Sequence, residues 1–460
     1  MNIVIIGAGD IGLHLASIFS KVEYGVTLID NNSDKLERAS RDLDVAIKHG
    51  SATDWELLEE LLELSPDFLI ALTRNDEINL ASCHIAKNLG YPQTIARVRS
   101  IKYLNTTRLN FERLFSTDHF ISPEKLTADS IANMILIPGS IAIENFANGA
   151  VELRTIKIPP KWKKGGIPLK NRSALELPRQ SMIGLVRRPG KRGEKPREWT
   201  KETILFPHGD DTIEVDDEVT FIGETDEIRK LHKMIGLHPK TPKSVVIVGG
   251  SLIGIYLAKT LLENNIRVRI IEKDFAKCTM LTEMLPHATV LLHDGTDYRL
   301  LQSERVGSTD VFVACTRNDE VNFLSACVAK DLGCENTIIS LSDISYCPLV
   351  QNLGIKHAAS PRLNATNRIL SISREKTIAS MVSMYNSQAE IMEVKVSMDS
   401  KIAGIPIHEL GPQLPLDFLI VVIQSRGRVF IADGTRVLTP GDTVIVISHP
   451  KHINEIKKLF

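Results

Sequence analysis

The feature that most constrains this chain is an internal duplication. Residues 2–12 read N-I-V-I-I-G-A-G-D-I-G, and residues 244–254 repeat the pattern of a short apolar strand and a glycine turn as S-V-V-I-V-G-G-S-L-I-G. The acidic residue that ends the next strand, Asp30 in the first copy and Glu272 in the second, keeps the same spacing from its turn. Such long-range self-similarity indicates a repeated folding unit.

A polar stretch further along each copy supports this alignment. Residues 71–79 read A-L-T-R-N-D-E-I-N, and residues 314–322 read A-C-T-R-N-D-E-V-N. The motif A-K-x-L-G then follows in both copies, at 86–90 and 329–333. Short apolar strands alternating with helical patterns predict a parallel sheet built from βαβ units in each copy.

A second region with different patterning follows each βαβ region. Val151 to Ile222 and Ile391 to Ile447 are rich in short β-branched strands separated by Pro and Gly turns. The predicted fold class is therefore α/β, with two tandem Rossmann-like doubly wound parallel-sheet domains, each followed by a small α/β lobe. The predicted domains are 1–138, 139–236, 242–375 and 376–460, with a proline-containing linker at 236–243 and basic, solvated loops at 159–172 and 187–201.

Composition excludes several classes of partner. The net charge of -1 provides no basic field, so nucleic acid is not an expected partner. The start lacks the pattern of a signal peptide, and no apolar run approaches the roughly 18–20 residues of a membrane span. The six cysteines form no Cys-x-x-Cys pair, which is typical of reduced core cysteines. These features predict a cytoplasmic protein whose membrane role is peripheral.

The first glycine turn has the pattern of a dinucleotide site. An apolar strand runs into Gly7, Gly9 and Gly12, and a helix follows. Gly7 permits the tight turn, Gly9 lets the backbone approach a pyrophosphate, and Gly12 lets the helix pack against the strand. The phosphates would then lie at the helix N-terminus, where unpaired N–H groups and the helix dipole favour anions. The alternative is a Rossmann-like turn that binds no ligand.

Asp30 indicates which kind of nucleotide the first site would bind. It closes the second strand 18 residues after Gly12, near the expected spacing of about 20. A carboxylate there accepts both ribose hydroxyls and repels a 2′-phosphate. NAD(H) or another adenine nucleotide is therefore predicted in preference to NADP(H).

Further candidates follow other strand ends, which converge on the same crevice in an open parallel sheet. The stretch 50–54 and Thr73 with Arg74 follow two strands, and Arg97 with Arg99 follows a third. The alternatives are that Thr73 belongs to a helix cap and that the two later arginines are solvated.

The second copy departs from this pattern. Ser251 replaces the second fingerprint glycine, and Ser340 and Ser342 replace the two arginines. Glu272 and the loop beginning at Asp294 persist. Two unequal nucleotide sites are therefore predicted, with a smaller or weaker ligand in the second.

Enzyme chemistry is not evident. We find no H-E-x-x-H, no nucleophile elbow and no zinc spacing, and no compact polar constellation that would act as general acid or base. Nucleotide sites without catalytic groups indicate a sensing role. The alternatives are an NAD-dependent oxidoreductase and a regulator of glutathione-gated K⁺ efflux.

These motifs, taken together over essentially the whole chain, resemble the TrkA family, the regulatory subunits of Trk potassium uptake systems within the group of domains that regulate K⁺ conductance (RCK). The resemblance implies a non-enzymatic protein that binds NAD(H), with ATP or ADP as further candidates. It implies self-association into dimers or a tetrameric ring, which docks on the inner face of the cell membrane against a Trk-type transmembrane potassium-translocating subunit and gates K⁺ transport. It also implies pairing of nucleotide domains through a helix, for which Glu124 to Ile137 is a candidate, with an ordinary amphipathic core helix as the alternative.

The resemblance assigns nucleotide contacts by motif. In the first copy they are Gly7, Ala8, Gly9, Asp10, Ile11, Asp30, Ser51, Thr73 and Arg97. In the second copy they are Gly249, Gly250, Ser251, Leu252, Ile253, Glu272 and Thr316. The candidate set also includes Gly12, Arg74, Asp294 and Cys315.

Overall fold

The computed structural model describes most of the chain. The described residues are 1–21, 24–105, 108–137, 139–190, 203–236, 242–355, 357–373, 378–385, 388–411 and 414–460. Three features predicted from the sequence lie mostly or wholly outside the described residues. They are the basic loop at 187–201, the linker at 236–243 and the domain boundary at 375 and 376.

The first domain contains six parallel strands. They are β1 (Asn2–Ile6), β2 (Gly25–Asp30), β3 (Ala46–His49), β4 (Phe68–Ala71), β5 (Gln93–Arg97) and β6 (His119–Ile121). Its helices are α1 (Asp10–Lys21), α2 (Ser33–Asp42), α3 (Trp55–Glu60), α4 (Asp76–Leu89), α5 (Ile101–Leu104), α6 (Phe111–Leu114) and α7 (Pro123–Leu136). The strand order β3-β2-β1-β4-β5-β6 reverses direction between β1 and β4. Such a reversal opens the ligand crevice of doubly wound sheets.

The first lobe is an antiparallel sheet with short helices. Its strands are β7 (Ser140–Phe146), β8 (Val151–Lys157), β9 (Ser181–Arg188), β10 (Thr203–Leu205) and β11 (Glu218–Glu224), and its helices are α8 (Arg172–Leu175), α9 (Thr225–Ile228) and α10 (Leu231–Ile235). The order is β10-β9-β11-β8-β7. One face packs on a core that contains Trp162, Val219 and Phe221.

The second copy repeats the Rossmann-like topology. Its strands are β12 (Ser244–Val248), β13 (Arg267–Glu272), β14 (Thr289–Leu292), β15 (Val311–Ala314), β16 (Thr337–Ser340) and β17 (His357–Ala359). Its helices are α11 (Leu252–Glu263), α12 (Phe275–Met284), α13 (Tyr298–Ser303), α14 (Asp319–Asp331), α15 (Cys347–Asn352) and α16 (Pro361–Ser373). The order β14-β13-β12-β15-β16-β17 matches that of the first domain strand for strand.

The second lobe repeats the first. Its strands are β18 (Ile378–Met384), β19 (Ala389–Lys395), β20 (Phe418–Ser425), β21 (Arg428–Ile431) and β22 (Thr443–Ser448), and its helices are α17 (Ile407–Leu410) and α18 (Ile453–Leu459). The order β18-β19-β22-β20-β21 is that of the first lobe read from the other edge. The duplication therefore extends over both regions of each copy, and the predicted fold class is confirmed.

The chain divides into two compact units that cut across the duplication. One unit contains Met1–Ala132 and Pro242–Ile369, and thus both Rossmann-like domains. The other contains Asn133–Thr241 and Leu370–Phe460, and thus both lobes. Within the lobe unit, one apolar cluster joins residues of both lobes, including Leu185 and Ile447. No described helix combines the length and the apolar character that crossing a bilayer requires.

The predicted pairing helix lies between the two Rossmann-like domains. Helix α7 begins at Pro123, and its counterpart α16 begins at Pro361. The Asn364 amide nitrogen on α16 donates to the Thr127 hydroxyl on α7 over 3.3 Å. The two copies therefore contact each other through equivalent helices within one chain.

Candidate functional site

The first glycine turn is shaped by close packing at two of its three glycines. Gly7 has a φ of +106°, which side chains rarely adopt, and a Cβ on Gly12 would overlap the Gly7 carbonyl oxygen. Gly9 differs, because a Cβ built there has no atom within 4 Å. Gly7 and Gly12 therefore serve the fold, whereas Gly9 leaves open space in front of the backbone.

Asp30 stands beside this turn at the end of β2. One carboxylate oxygen accepts the Ala8 backbone N–H at 2.7 Å, and the other accepts the Asn32 N–H at 2.9 Å. The carboxylate is thus fixed relative to the turn before any ligand arrives. Each carboxylate oxygen has a second lone pair, so Asp30 retains acceptor capacity for hydroxyl groups.

The polar stretch after β4 is mostly structural. The Asn79 side chain is fully buried, accepts from the Thr73 N–H and hydroxyl, and donates to the carbonyl oxygens of Thr73 and Arg97. Asn75 caps α4 by accepting the Ile78 N–H at 2.9 Å. The stretch therefore joins the carboxyl ends of β4 and β5, which accounts for the asparagines at positions 75 and 79.

The second copy builds the same connection. Asn322 binds both backbone groups and the hydroxyl of Thr316 and donates to the Ser340 carbonyl oxygen, and Asn318 caps α14. In both copies the arginine of this stretch, Arg74 or Arg317, is exposed and forms no ion pair with a described residue. These two cations are therefore not required by the local fold.

Arg97 and Arg99 share one counter-ion. The Glu124 carboxylate, in the first turn of α7, lies 3.1 Å from Arg97 Nη2 and 2.9 Å from Arg99 Nε. Burial lowers the pKa of Arg97, and the neighbouring Glu124 charge opposes that shift. The buried Asp76 carboxylate accepts the Arg99 and Ser100 backbone N–H groups and its charge also acts on Arg97, so two carboxylates stand beside the two guanidinium groups. Glu124 was predicted only as part of a pairing helix and not as the partner of these arginines.

The carboxylate of the second copy is held against its own glycine turn and is buried. Gly250 N–H donates to Glu272 at 2.7 Å, and the other Glu272 oxygen accepts the Lys273 and Asp274 N–H groups. Glu272 is only 8% exposed, and a Cβ on Gly250 would lie 2.7 Å from Leu281 Cδ1. The carboxylate equivalent to Asp30 is thus buried in this copy.

Ser251 and Cys315 are linked inside the second domain. The Ser251 hydroxyl donates to the Cys315 carbonyl oxygen at 2.6 Å and also accepts the Gly254 N–H as the cap of α11. The Cys315 thiol is buried, and burial raises its pKa to about 12. The Ser251 hydroxyl, which was predicted to face a phosphate, therefore already donates its hydrogen bond to a backbone carbonyl oxygen.

Asp294 belongs to a local turn. Its carboxylate accepts the N–H and hydroxyl of Thr296 at 2.8 and 2.7 Å, and these hydrogen bonds lower its pKa. The side chain is exposed.

The two glycine turns open onto one shared cavity of about 1110 Å³ within the Rossmann-like unit. Thirteen of the predicted site residues line it: Gly7, Gly9, Asp10, Ile11, Asp30, Ser51, Thr73, Arg74, Arg97, Ser251, Leu252, Ile253 and Thr316. The other predicted residues do not: Ala8, Gly12, Gly249, Gly250, Glu272, Asp294 and Cys315. The second copy thus contributes the helix start and strand ends but not its ribose carboxylate.

Several cavity residues were not predicted from the sequence, among them Lys35 on α2 and Arg362 on α16. Arg362 lines the cavity at the start of α16. The signal that could have found it is the repeat itself, because Ser360-Pro361-Arg362 stands in the second copy where Ser122-Pro123-Glu124 stands in the first. Among the described residues there is no cluster of side chains that could hold a metal ion.

The fold and this cavity define a class of protein, the tandem Rossmann-type nucleotide-binding proteins. A family model described as the TrkA-N domain matches residues 3–123 and 245–361, and a TrkA-C domain model matches residues 391–460. The chain therefore belongs to the TrkA family of Trk system potassium uptake proteins.

Relatives match along the full chain. The Trk system potassium uptake protein TrkA of Haemophilus influenzae is 31% identical and is aligned over 100% of this chain and 98% of its own length. That of Halomonas elongata is 32% identical with the same coverage. TrkA homolog 1 of Methanosarcina mazei is 31% identical over 100% of both chains. These names agree with the prediction of a non-enzymatic role.

Solved structures share the fold. The crystal structure of the GsuK RCK domain has a TM-score of 0.63 at 15% identity and covers 100% of this chain and 94% of its own. The GsuK channel bound to NAD also has a TM-score of 0.63 at 15% identity, with 78% of that chain covered. The RCK-type architecture predicted from the resemblance is thereby confirmed.

Proposed function

We propose that this chain is the nucleotide-sensing regulatory subunit of a Trk-type potassium uptake system. The observation that carries the proposal is the open position at Gly9, which faces a large cavity beside the preset carboxylate of Asp30. This is the arrangement that accepts a pyrophosphate and an adenosine ribose. Membership of the TrkA family supplies the potassium uptake context.

NAD(H) is the proposed ligand, with ATP and ADP as further candidates. The Asp30 carboxylate favours free ribose hydroxyls over a 2′-phosphate. The arginines of the cavity supply bidentate donors for phosphate groups. A solved relative in fold, the GsuK channel, is described as bound to NAD and in another crystal structure as bound to ADP.

The output of binding is proposed to be a conformational change passed to a membrane subunit. A ligand shifts a conformational equilibrium only by its differential affinity for the two states, and typical coupling is about 1–3 kcal/mol, or about 5–150-fold. The chain is proposed to act at the inner face of the membrane as a dimer or tetrameric ring. Sedimentation velocity of the full chain tests the assembly, and a monomer at all concentrations would contradict it.

The decisive experiment measures K⁺ flux in vesicles that contain a Trk-type transmembrane subunit, with the full chain added. Flux is expected to depend on NADH, NAD, ATP or ADP, and Asp30→Ala is expected to abolish the dependence. Asp34→Ala, which removes an exposed carboxylate on α2, is the matched control. If the two proteins co-purify but flux ignores every nucleotide, the sensing function is wrong.

A further inference from the structure

An ion pair in the first lobe has no counterpart in the second. Arg188 is the last residue of β9, and Asp217 immediately precedes β11. The Arg188 guanidinium donates through Nε and Nη2 to the Asp217 carboxylate at 3.0 and 2.9 Å. Nη2 also donates to the Thr212 carbonyl oxygen at 2.9 Å, and Glu214 lies 3.3 Å from Nη1. The first lobe therefore supplies its own cation to these acceptors.

The strand register identifies the equivalent residues of the second lobe. Arg188 ends β9 beside the edge strand β10, and Ser425 ends β20 beside the edge strand β21. Asp442 immediately precedes β22, as Asp217 precedes β11. The Asp442 carboxylate accepts the N–H and the hydroxyl of Thr439, both at 2.9 Å, and has no ion-pair partner among the described residues. The second lobe thus keeps the carboxylate without the guanidinium group.

The backbone beside this carboxylate is also the same in both lobes. Thr212, whose carbonyl oxygen accepts from Arg188, forms an isolated antiparallel bridge with Pro168. Val437 forms the equivalent bridge with Pro406. The second lobe therefore retains the backbone position that accepts a cationic donor in the first lobe.

A cavity of about 560 Å³ lies at this position of the second lobe. Ser425, Val437 and Asp442 line it. Asp442 is only 5% exposed, so its carboxylate lies at the buried end of the cavity. Small-molecule sites are typically about 300–1,000 Å³ in volume. The smaller Ser425 side chain is therefore accompanied by a space large enough for a ligand that carries its own cationic donor.

The rest of the cavity lining is cationic. Arg426, Arg428 and Arg436 line it, and Asp442 is the only carboxylate among the described lining residues. The Arg436 guanidinium stacks on Phe430, 4.0 Å from the ring centroid, which holds it at the cavity. Arg426 and Arg428 are exposed and form no ion pair with a described residue. Three guanidinium groups are thus available to bind carboxylates.

The first lobe has the opposite charge at one of these positions. Asp211 lies six residues before Asp217, and Arg436 lies six residues before Asp442. Hydrogen bonding to Asp217 is the main cause that raises the pKa of Arg188, and the charge of Asp211 contributes to the same shift. The first lobe therefore surrounds its own cation with acidic groups, whereas the second lobe surrounds a buried acid with basic groups.

We infer that this cavity of the second lobe binds a small amino acid that carries one ammonium group and two carboxylates. The ammonium group takes the place of the Arg188 guanidinium and donates to Asp442 and to the Val437 carbonyl oxygen. The two carboxylates accept from Arg428 and Arg436, whose planar guanidinium groups match carboxylate geometry. A dicarboxylate without an amine would leave Asp442 facing like charges. The inference goes beyond the proposed function, because the site lies in the lobe unit and contains none of the predicted nucleotide contacts.

Isothermal titration calorimetry of the full chain tests the site with L-glutamate as the probe. We expect saturable binding of one L-glutamate per chain. Glutarate, which lacks the ammonium group, should bind at least about 10-fold more weakly. Arg428→Gln should weaken L-glutamate binding about 10–100-fold, the range expected for the loss of one charge-assisted hydrogen bond. Lys401→Gln, which removes an exposed cation of the same lobe outside the cavity, is the matched control.

Ser425→Arg recreates the arrangement of the first lobe. The new guanidinium group should pair with Asp442, raise the thermal midpoint and abolish L-glutamate binding. Arg188→Ser makes the reverse change in the first lobe, where acidic groups surround the position. It should lower the thermal midpoint and leave one L-glutamate per chain.

Absence of saturable L-glutamate binding to the wild-type chain would overturn the inference, and so would equal affinities for L-glutamate and glutarate. It would also fail if folded Ser425→Arg bound L-glutamate within about twofold of wild type. If Ser425→Arg does not fold, Arg428→Gln decides by the same criterion, because Arg428 is exposed and has no described ion pair. Gly9→Val should bind L-glutamate as wild type does. Loss of binding in that variant would place the ligand in the nucleotide cavity and contradict the inference.

Discussion

The Ser251 hydroxyl donates a hydrogen bond of 2.6 Å to the Cys315 carbonyl oxygen, which joins the second glycine turn to the end of β15. A serine at this position of the fingerprint is therefore part of the fold of the second domain. Its replacement by glycine would restore the glycine spacing of the first copy without exposing Glu272, which is buried and accepts the Gly250, Lys273 and Asp274 N–H groups.

Ser251→Gly is thus expected to leave the nucleotide stoichiometry unchanged. It should lower the free energy of unfolding by about 1–1.5 kcal/mol, from the lost hydrogen bond and the weaker helix cap. Calorimetry and urea unfolding of the full chain measure the two quantities. Appearance of a second NADH equivalent in the variant would show that the serine alone had closed the second site.

Gly9→Val is expected to remove NADH binding from a folded protein. The added side chain enters the space in front of the turn, where a Cβ has no atom within 4 Å, so the fold is not strained. A loss of at least about 100-fold, or about 2.7 kcal/mol, should be seen in an NADH fluorescence titration. Gly411→Val, also at a position with no atom within 4 Å of a Cβ, is the control in the second lobe.

Gly12→Ala should behave in the opposite way. Its Cβ would overlap the Gly7 carbonyl oxygen, so the helix and the turn must separate. Its thermal midpoint is expected to fall where that of Gly9→Val does not. Equal midpoints for the two variants, with NADH binding retained in Gly9→Val, would remove the distinction drawn between the two glycines.

Asn79→Ala is expected to destabilise the first domain. The buried amide makes four hydrogen bonds, to the backbone and hydroxyl of Thr73 and to the Arg97 carbonyl oxygen. Each buried group left without a partner costs about 1–3 kcal/mol, so the loss should exceed about 2 kcal/mol in urea unfolding. Asn88→Ala, exposed on the same helix, is the control. Similar losses in both variants would contradict the role assigned to Asn79.

The fold could be predicted from the sequence because each local pattern occurs in two aligned copies, and each copy supports the interpretation of the other. The glycine turn followed by a helix, and Asp30 at the end of the next strand, depend on local backbone rules that hold wherever they occur. Two aligned copies of these patterns predict the same doubly wound parallel sheet in each domain, and the two sheets have the same strand order. The two lobes could be predicted in the same way, because the pattern of short strands occurs in both copies. Their strands have the same antiparallel order.

The site was less readable because side chains from distant segments compose it. Sequence spacing placed Glu272 next to its turn but could not show that this carboxylate is buried. It also could not show that Arg362 enters a cavity shared with the first turn, because that depends on how α7 and α16 pack. Reading the polar stretch after β4 as ligand-binding overlooked its main role, which is to join strand ends through Asn79.

Glu144 on β7 provides a test of stability against pH in the lobe unit. Burial raises the pKa of this carboxyl from 4.5 to about 7 in the folded chain. The folded state therefore binds a proton more tightly than the unfolded state does. Stability is expected to fall as the pH rises from about 4.5 to about 7 and to level off above that range.

Glu144→Gln should remove this dependence, because the neutral amide mimics the protonated acid. The shift corresponds to about 3 kcal/mol at most, so the variant should be more stable than wild type by up to that amount at pH 8 and about equal to it at pH 4.5. Unfolding can be followed through Trp162, which is buried in the first lobe, in a background where Trp55 and Trp199 are replaced by Phe. Glu224→Gln, an exposed carboxylate at the end of β11, is the control and should keep the wild-type profile. A Glu144→Gln profile parallel to that of wild type across this range would mean that the carboxyl is already ionised in the folded chain at low pH.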